Sequence, residues 1–272
     1  MILRRTTALP RVTLKAVTFG AMGTALAGAL SESWERDGYF RVNGFLSATQ
    51  CENLLRAANS LLHHPDNDVV IRFEDNLPDE LPAERRISKL YRFHRRGPFR
   101  QLCTSPELLA LVQPLIGGDV DVFLSQVVWK VPGAHGQPWH QDASVFPFEP
   151  ERPVVAVWLA LTRAADDNSC LRLVPGSQRS PLLRHGFDRQ SPTGARYLSL
   201  ADRRVDGWEP VIVGGGDLVV FDSHLVHAST DNISSNTRVA LTFHFASAGT
   251  IDRTVERFGE SPYNDWMPAF RR

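Results

Sequence analysis

The sequence predicts a mainly β protein, a sandwich or barrel, preceded and braced by a helical half. Three observations carry this expectation. From Val120 onward the chain is a series of short Val-, Leu- and Phe-rich segments separated by Pro, Gly, Asn or Asp. Before Val120, apolar residues recur at helical spacing behind capping residues. The composition is that of an ordinary globular chain, 272 residues with 43% hydrophobic and 22% charged, which is enough to bury a sizeable core.

Taken in order, Ser31-Glu32-Ser33-Trp34-Glu35 opens a short helical pattern that stops at Gly38. Tyr39-Phe40-Arg41-Val42 alternates like a strand and ends at the turn signal Asn43-Gly44. Ser47-Ala48-Thr49-Gln50 has capping-box spacing, and Leu54, Leu55, Ala58, Leu61 and Leu62 continue it as an amphipathic helix that closes at His63-His64-Pro65-Asp66-Asn67. Residues 73–85 are acidic, contain two prolines and read as a surface loop. A further helix runs from Pro106 to Ile116 and stops at Gly117-Gly118. Strands are expected over Val120–Val131, Val154–Leu161, Leu171–Val174, Val211–Val213, Leu218–Phe221 and Val239–Phe245. Neither a fixed-period repeat nor a dividing linker interrupts residues 31–272, which read as one domain.

Residues 1–30 have a different texture. Arg4, Arg5, Arg11 and Lys15 precede the first acid, Glu32, and Ala16–Leu30 is small and apolar with Gly20, Gly23 and Gly28. This is the outline of a signal peptide or an acid-poor transit peptide, and equally of a loosely ordered extension. It is too short and too broken by glycine for a stable membrane span. The expected location is cytoplasmic, with organelle targeting through residues 1–30 as the alternative.

Charge and cysteine usage exclude other classes. Thirty basic residues balance thirty acidic ones, so the basic excess of a nucleic-acid-binding protein is missing and no nucleic-acid partner is expected. Cys51, Cys103 and Cys170 are odd in number and widely spaced, unlike a disulfide framework or a zinc site. Oligomeric state leaves no trace in the sequence.

The chemistry lies in Trp139-His140-Gln141-Asp142. Residues i and i+2 of an extended segment point to one side, so His140 and Asp142 reach one ion while Gln141 faces away. An imidazole and a carboxylate are two thirds of the two-histidine, one-carboxylate set that holds non-haem Fe(II) with open positions. With nine histidines, about 0.6 such pairs arise by chance. His64-Pro65-Asp66 is a decoy of this kind, placed in a turn. The second histidine must return from a distant strand. After Gly216–Phe221, either His224 or His227 suits on chemical grounds. On the following strand, alternation puts Arg238, Ala240, Thr242 and His244 on one face and Val239, Leu241, Phe243 and Phe245 on the other. Arg238 is placed to clamp a carboxylate through its guanidinium fork, or else to form a structural ion pair at a barrel rim.

These residues and their spacing resemble the phytanoyl-CoA dioxygenase family of Fe(II)/2-oxoglutarate oxygenases. The likeness runs from about Trp34 to Asp252. It begins at Asp37-Gly38-Tyr39-Phe40 and Gly44-Phe45-Leu46-Ser47, and passes through His140-Gln141-Asp142, Phe146-Pro147-Phe148 and Trp158. It continues with Asn168-Ser169-Cys170-Leu171, Pro175-Gly176-Ser177, Gly216-Asp217 and His227-Ala228-Ser229, then Arg238 and His244-Phe245-Ala246-Ser247. The resemblance implies a double-stranded β-helix, a jelly-roll or cupin-like barrel, with Fe(II) held by His140, Asp142 and His227 near one end. His224 then has no metal role. It further implies that Arg238 and Ser229 hold the far carboxylate of 2-oxoglutarate, with Gln126 and Trp158 lining that site. Lys89 matches a lysine of the helical half near the co-substrate. Two positions depart from the family pattern: Ser169 stands where glycine is common, and Gln178 where histidine is frequent. The implied reaction uses O2 and 2-oxoglutarate to oxidise a C–H bond of a small organic substrate, such as an acyl-CoA or a secondary metabolite, releasing succinate and CO2. Because Asp142 keeps its carboxylate, oxygen insertion or desaturation is favoured over halogenation. Phe146, Phe148 and the loop from Pro181 to Tyr197, with Arg184, His185 and Arg189, are candidates to shape the substrate mouth. The competing readings are an iron oxygenase that does not use 2-oxoglutarate and a catalytically silent barrel that serves as a binding module.

Overall fold

The computed structural model describes residues 24–187, 197–201 and 204–272; the basic segment before residue 24 and Arg189 lie outside them. In the first half, α1 (Thr24–Asp37) leads into β1 (Tyr39–Val42), then α2 (Ala48–His63), β2 (Val70–Phe73) and β3 (Ile87–Tyr91), followed by α3 (Gly97–Cys103) and α4 (Pro106–Ile116). The second half holds β4 (Val120–Lys130), β5 (Phe148–Glu149), β6 (Val154–Ala160), β7 (Leu171–Leu173), β8 (His185–Gly186) and β9 (Ser199–Leu200). After these come β10 (Glu209–Val211), β11 (Leu218–Asp222), β12 (His227–Ser229), β13 (Arg238–Ser247), β14 (Ile251–Asp252), α5 (Thr254–Phe258) and β15 (Met267–Phe270).

Two of the three helices read from sequence form where their caps place them, whereas the first, expected from Ser31, already begins at Thr24. At α2, the Ser47 hydroxyl accepts from the Gln50 backbone N–H at 3.3 Å, while the Gln50 side chain accepts from the Ser47 N–H at 2.9 Å. Cys51, Leu54, Ala58 and Leu62 form its buried stripe. Ser105 caps α4, Pro106 supplies its first turn and Gly117 ends it.

Eight strands make one large antiparallel sheet in the order β1-β11-β6-β13-β4-β3-β2, with β15 also paired to β4. A smaller antiparallel sheet, β10-β7-β12, faces it. The central strands β6 and β13 of the large sheet are buried on both sides, and their period-2 geometry sorts the residues. Val155, Val157 and Leu159 of β6, with Val239, Leu241, Phe243 and Phe245 of β13, pack against α1–α4. Ala156, Trp158, Ala160 and Ala240 point the other way and pack with Leu171, Leu173 and Val211 of the small sheet. Each large side chain so buried contributes about 1.5–3 kcal/mol. This arrangement is the double-stranded β-helix, and the space between its two sheets is the site. Among the described residues no helix is long and apolar enough to cross a membrane.

Two expectations change. Residues 73–85 are not a plain surface loop: they begin on β2 and include a short 3-10 turn at Ala83–Arg85. Lys89 does not belong to a helical half, because it lies on β3 within the large sheet, opposite Val128 of β4. All five β3 residues are buried, so the strand lacks the alternation that would have announced it.

Candidate metal centre

His140 and His227 meet by backbone pairing. The His140 N–H donates to the His227 carbonyl and the His227 N–H donates back, each at 2.9 Å, so β12 carries its histidine directly beside the His140 segment. Asp142 opens the 3-10 turn Asp142–Val145, after Gln141 in extended backbone. That step turns His140 and Asp142 to the same side. The buried Gln141 side chain points away, donating to the His224 carbonyl and accepting from the Leu183 N–H, both at 2.8 Å.

Nitrogen and oxygen atoms of His140, Asp142 and His227 lie within 4.8 Å of one another. Asp142 Oδ1 is 3.5 Å from His140 Nε2 and 3.7 Å from His227 Nε2. Both rings are oriented from behind: His140 Nδ1–H donates to the Pro138 carbonyl at 2.8 Å and His227 Nδ1–H to the Leu225 carbonyl at 2.9 Å. Each Nε2 is thereby left unprotonated on the side of Asp142, the form a metal requires of imidazole, and that of His140 accepts from the Gln137 amide at 2.8 Å. Burial, aided by His140, pushes His227 down to about 4, so it is neutral and able to ligate at neutral pH. Burial also pushes the Asp142 carboxyl up. The His227 and His244 imidazoles beside it, with the hydrogen bond from His244, outweigh that push and hold it well below the usual range. The donor set fits a divalent cation of the iron type.

Arg238 is the second part of the site. It is 1% exposed, and its Nη2 donates to the Ser169 carbonyl at 2.7 Å. Its Nε and Nη1 have no partner, and no carboxylate among the described residues pairs with it. The guanidinium carbon sits 5.5 Å from the Trp158 ring centre. Burial pulls its pKa down to about 10. A buried cation with two unused donor groups is built to receive an anion. Triad and guanidinium line one cavity of about 860 Å³, together with Gln126, Trp158, Ser229 and Lys89. Lys89 Nζ donates to Gln137 Oε1 at 3.0 Å, and the same amide lies 2.8 Å from His140 Nε2.

The family model for phytanoyl-CoA dioxygenase matches residues 34–240. The chain belongs to the phytanoyl-CoA dioxygenase family. The peroxisomal phytanoyl-CoA dioxygenase of Bos taurus is 28% identical over 191 residues, covering 65% of this chain and 57% of the relative. The chain thus spans little more than half the length of the phytanoyl-CoA dioxygenases it matches. The methylphosphonate hydroxylase of Gimesia maris is 26% identical over 234 residues, 85% of each chain. Among solved structures, the epimerase SnoN in complex with Fe3+, alpha ketoglutarate and nogalamycin RO has a TM-score of 0.70 at 22% identity, covering 90% of this chain and 96% of that one. It shares the fold.

Within this phytanoyl-CoA dioxygenase-family chain, the two departures acquire physical reasons. Ser169 has φ +72°, the left-handed region that glycine occupies without strain, and this turn aims its carbonyl at Arg238. Gln178 donates to the Glu35 carbonyl at 3.2 Å, tying its turn to the C-terminal end of α1. Gly38 beneath it has φ +79°, and a Cβ there would come within 2.5 Å of the Gln178 side chain. His224 stands outside the triad, buried and paired with Glu151. His64 and Asp66 also lie outside it, and Asp66 pairs with Arg96.

At the mouth, Phe146 lines the cavity, whereas Phe148 is buried against Phe123 and Trp266 and does not reach it. His185 does not line it either. Burial lowers its pKa, and its Nε2 accepts from the Gln141 N–H at 3.0 Å. Three cavity-lining side chains had no role assigned in the sequence reading. Gln137 sits against His140, and His244 donates to Asp142 at 2.9 Å. Lys130 lies directly opposite Arg238 across the β4–β13 pair, and burial pushes it down to about 8. Parity with Gln126 along β4 was the available signal for Lys130.

Proposed function

We propose that the protein is an Fe(II)/2-oxoglutarate-dependent dioxygenase that hydroxylates, or otherwise oxidises, a C–H bond of a small organic substrate, with release of succinate and CO2. The observation that carries this reading is the pairing, in one cavity, of the His140–Asp142–His227 cluster with the unsatisfied guanidinium of Arg238. The names of its relatives, a phytanoyl-CoA dioxygenase and a methylphosphonate hydroxylase, support it, as does the SnoN complex that holds Fe3+ and alpha ketoglutarate.

In this reading His140, Asp142 and His227 hold the iron. Iron, 2-oxoglutarate and O2 supply the oxidising chemistry when bound. The protein supplies position. Arg238 offers its two free donor groups to the far carboxylate of 2-oxoglutarate, and Ser229, Gln126, Trp158 and Lys89 complete that wall. Trp158 and the closed inner face of β6 and β13 exclude water, which strengthens the Arg238–carboxylate pair. The substrate enters over Phe146, Val145 and Phe187, an apolar rim suited to a partly apolar molecule such as an acyl-CoA or a secondary metabolite. Nucleic acid is not the substrate in this reading, as the even charge balance supports. The cytoplasm is the proposed location, supported by three buried cysteines that are all unpaired.

The deciding experiment is anaerobic. Fe(II) and 2-oxoglutarate added together should produce a visible charge-transfer band that neither produces alone. Admitting O2 with a panel of acyl-CoA and secondary-metabolite candidates should release succinate. A protein that binds Fe(II) but shows neither band nor succinate is not an enzyme of this type.

A further inference from the structure

The geometry points to His244 as the positioning residue that keeps Asp142 to a single metal-facing oxygen. This inference rests on the functional reading above and concerns how that site is held together.

The two oxygens of Asp142 have separate partners. Oδ1 is the atom turned toward His140 and His227, at 3.5 and 3.7 Å. Oδ2 accepts from His244 Nε2–H at 2.9 Å. A carboxylate with both oxygens free closes on a cation with one or with both. One whose second oxygen is already hydrogen-bonded has only one to give. The difference matters for a site of this class, which works through open positions. Three single-atom protein ligands leave three places, enough for a two-point co-substrate and dioxygen. A fourth protein contact would leave the site one place short.

The burial of His244 makes sense only through this contact. Its ring is 2% exposed, edge-on to Phe146 at 5.3 Å and tilted against Phe123 at 6.0 Å. Nδ1 is buried and makes no hydrogen bond. A polar ring placed among aromatic side chains with one ring nitrogen unsatisfied is costly, so the fold retains it for what the other nitrogen does. The backbone gives the ring little freedom, because His244 sits mid-sheet on β13, opposite Leu124 of β4 and Ala156 of β6. The donor is therefore set by the sheet, while Asp142 is set by a turn.

The test uses the 272-residue chain loaded with Co(II), whose visible spectrum reports its ligand set, titrated with 2-oxoglutarate without oxygen. His244→Leu removes the donor while suiting the aromatic surroundings. His244→Gln carries an amide N–H to the position of Nε2. Leu should bind Co(II) within threefold of wild type, with a shifted visible band and at least a tenfold loss of 2-oxoglutarate affinity. Gln should restore both toward wild type. A wild-type spectrum and wild-type 2-oxoglutarate affinity in the Leu variant would overturn the assignment. So would equal loss of Co(II) in both variants, which marks a purely structural residue. If the Leu variant does not fold, His244→Asn and His244→Gln decide: the Asn amide stops at the place of Nδ1, so a tenfold split between them is expected and equality refutes the role. Failure of the wild-type protein to respond to 2-oxoglutarate would instead sink the functional reading itself.

Discussion

Replacing Arg238 with Met should stabilise the ligand-free protein and nearly abolish its response to 2-oxoglutarate. The two effects have a common origin. With its pKa pulled down to about 10, the buried guanidinium gives up roughly 3 kcal/mol of preference for its charged form. Met fills similar space without that burden. It also forfeits the bond to the Ser169 carbonyl, which costs about 1–2 kcal/mol. The net gain of about 1–2 kcal/mol should raise the melting temperature by about 2–6 °C for a chain of this size. Binding moves the other way. Losing two charge-assisted hydrogen bonds at about 1.5 kcal/mol each weakens 2-oxoglutarate by about 150-fold. Thermal melts of metal-loaded, oxygen-free protein read both quantities, because a ligand that binds only the folded state raises the melting point with the logarithm of its concentration over its Kd. The wild type should begin lower and climb with added 2-oxoglutarate, whereas Arg238→Met should begin higher and stay flat. A variant that begins lower and still climbs at the same concentrations would show that Arg238 is a structural residue and that the anion binds elsewhere.

Other perturbations separate the remaining parts of the site. Ala at His140, Asp142 or His227 should each weaken Fe(II) or Co(II) by at least about 100-fold in a dialysis titration, while His224→Ala stays within threefold of wild type. Ser169→Gly should raise stability by about 1 kcal/mol in urea unfolding, since it relieves a left-handed φ of +72° and removes a buried hydroxyl without a partner. A fall in stability would refute the strain argument. His94 should make the fold acid-sensitive. Burial, partly opposed by Asp265, lowers its pKa from 6.5 to about 4. As pH falls below 6.5 the unfolded chain therefore takes up the proton first. Stability is lost between pH 6.5 and 4, by roughly 3 kcal/mol, and His94→Gln should flatten that part of the pH–stability curve.

Local signals were legible in the sequence where local physics decides. Helix α4 spans Pro106–Ile116 as its cap, proline and glycine require, and the capping box of α2 forms with both of its hydrogen bonds. The alternation along residues 238–245 sorts the two faces of β13 correctly, because one face meets helices and the other a polar cavity. Features set by distant pairing were not legible. Strand β3 is buried on both faces and carries Lys89, so it shows neither alternation nor an unbroken apolar run. His224 and His227 are both buried and only three residues apart. What separates them is the backbone ladder between His227 and His140, 87 positions apart in sequence, which no local pattern encodes. The same holds for His244 and Asp142, where the sequence placed each on the inward side and gave no reason for them to touch.

Strand β13 is hydrogen-bonded along both of its edges, to β4 and to β6. It carries Arg238 at one end and His244 near the other, facing the cavity, while Val239, Leu241, Phe243 and Phe245 fill the core behind. A slip of one residue would turn all six around at once, exposing apolar side chains to the cavity and driving two polar ones into the helices. Folding and chemistry thus share a single zipper. A molecule whose sheet has closed has Arg238 and His244 already aligned on the cavity, and one whose sheet has closed wrongly cannot be stable. In a purified preparation, competence should therefore track the folded fraction, with no well-packed but idle population to dilute it.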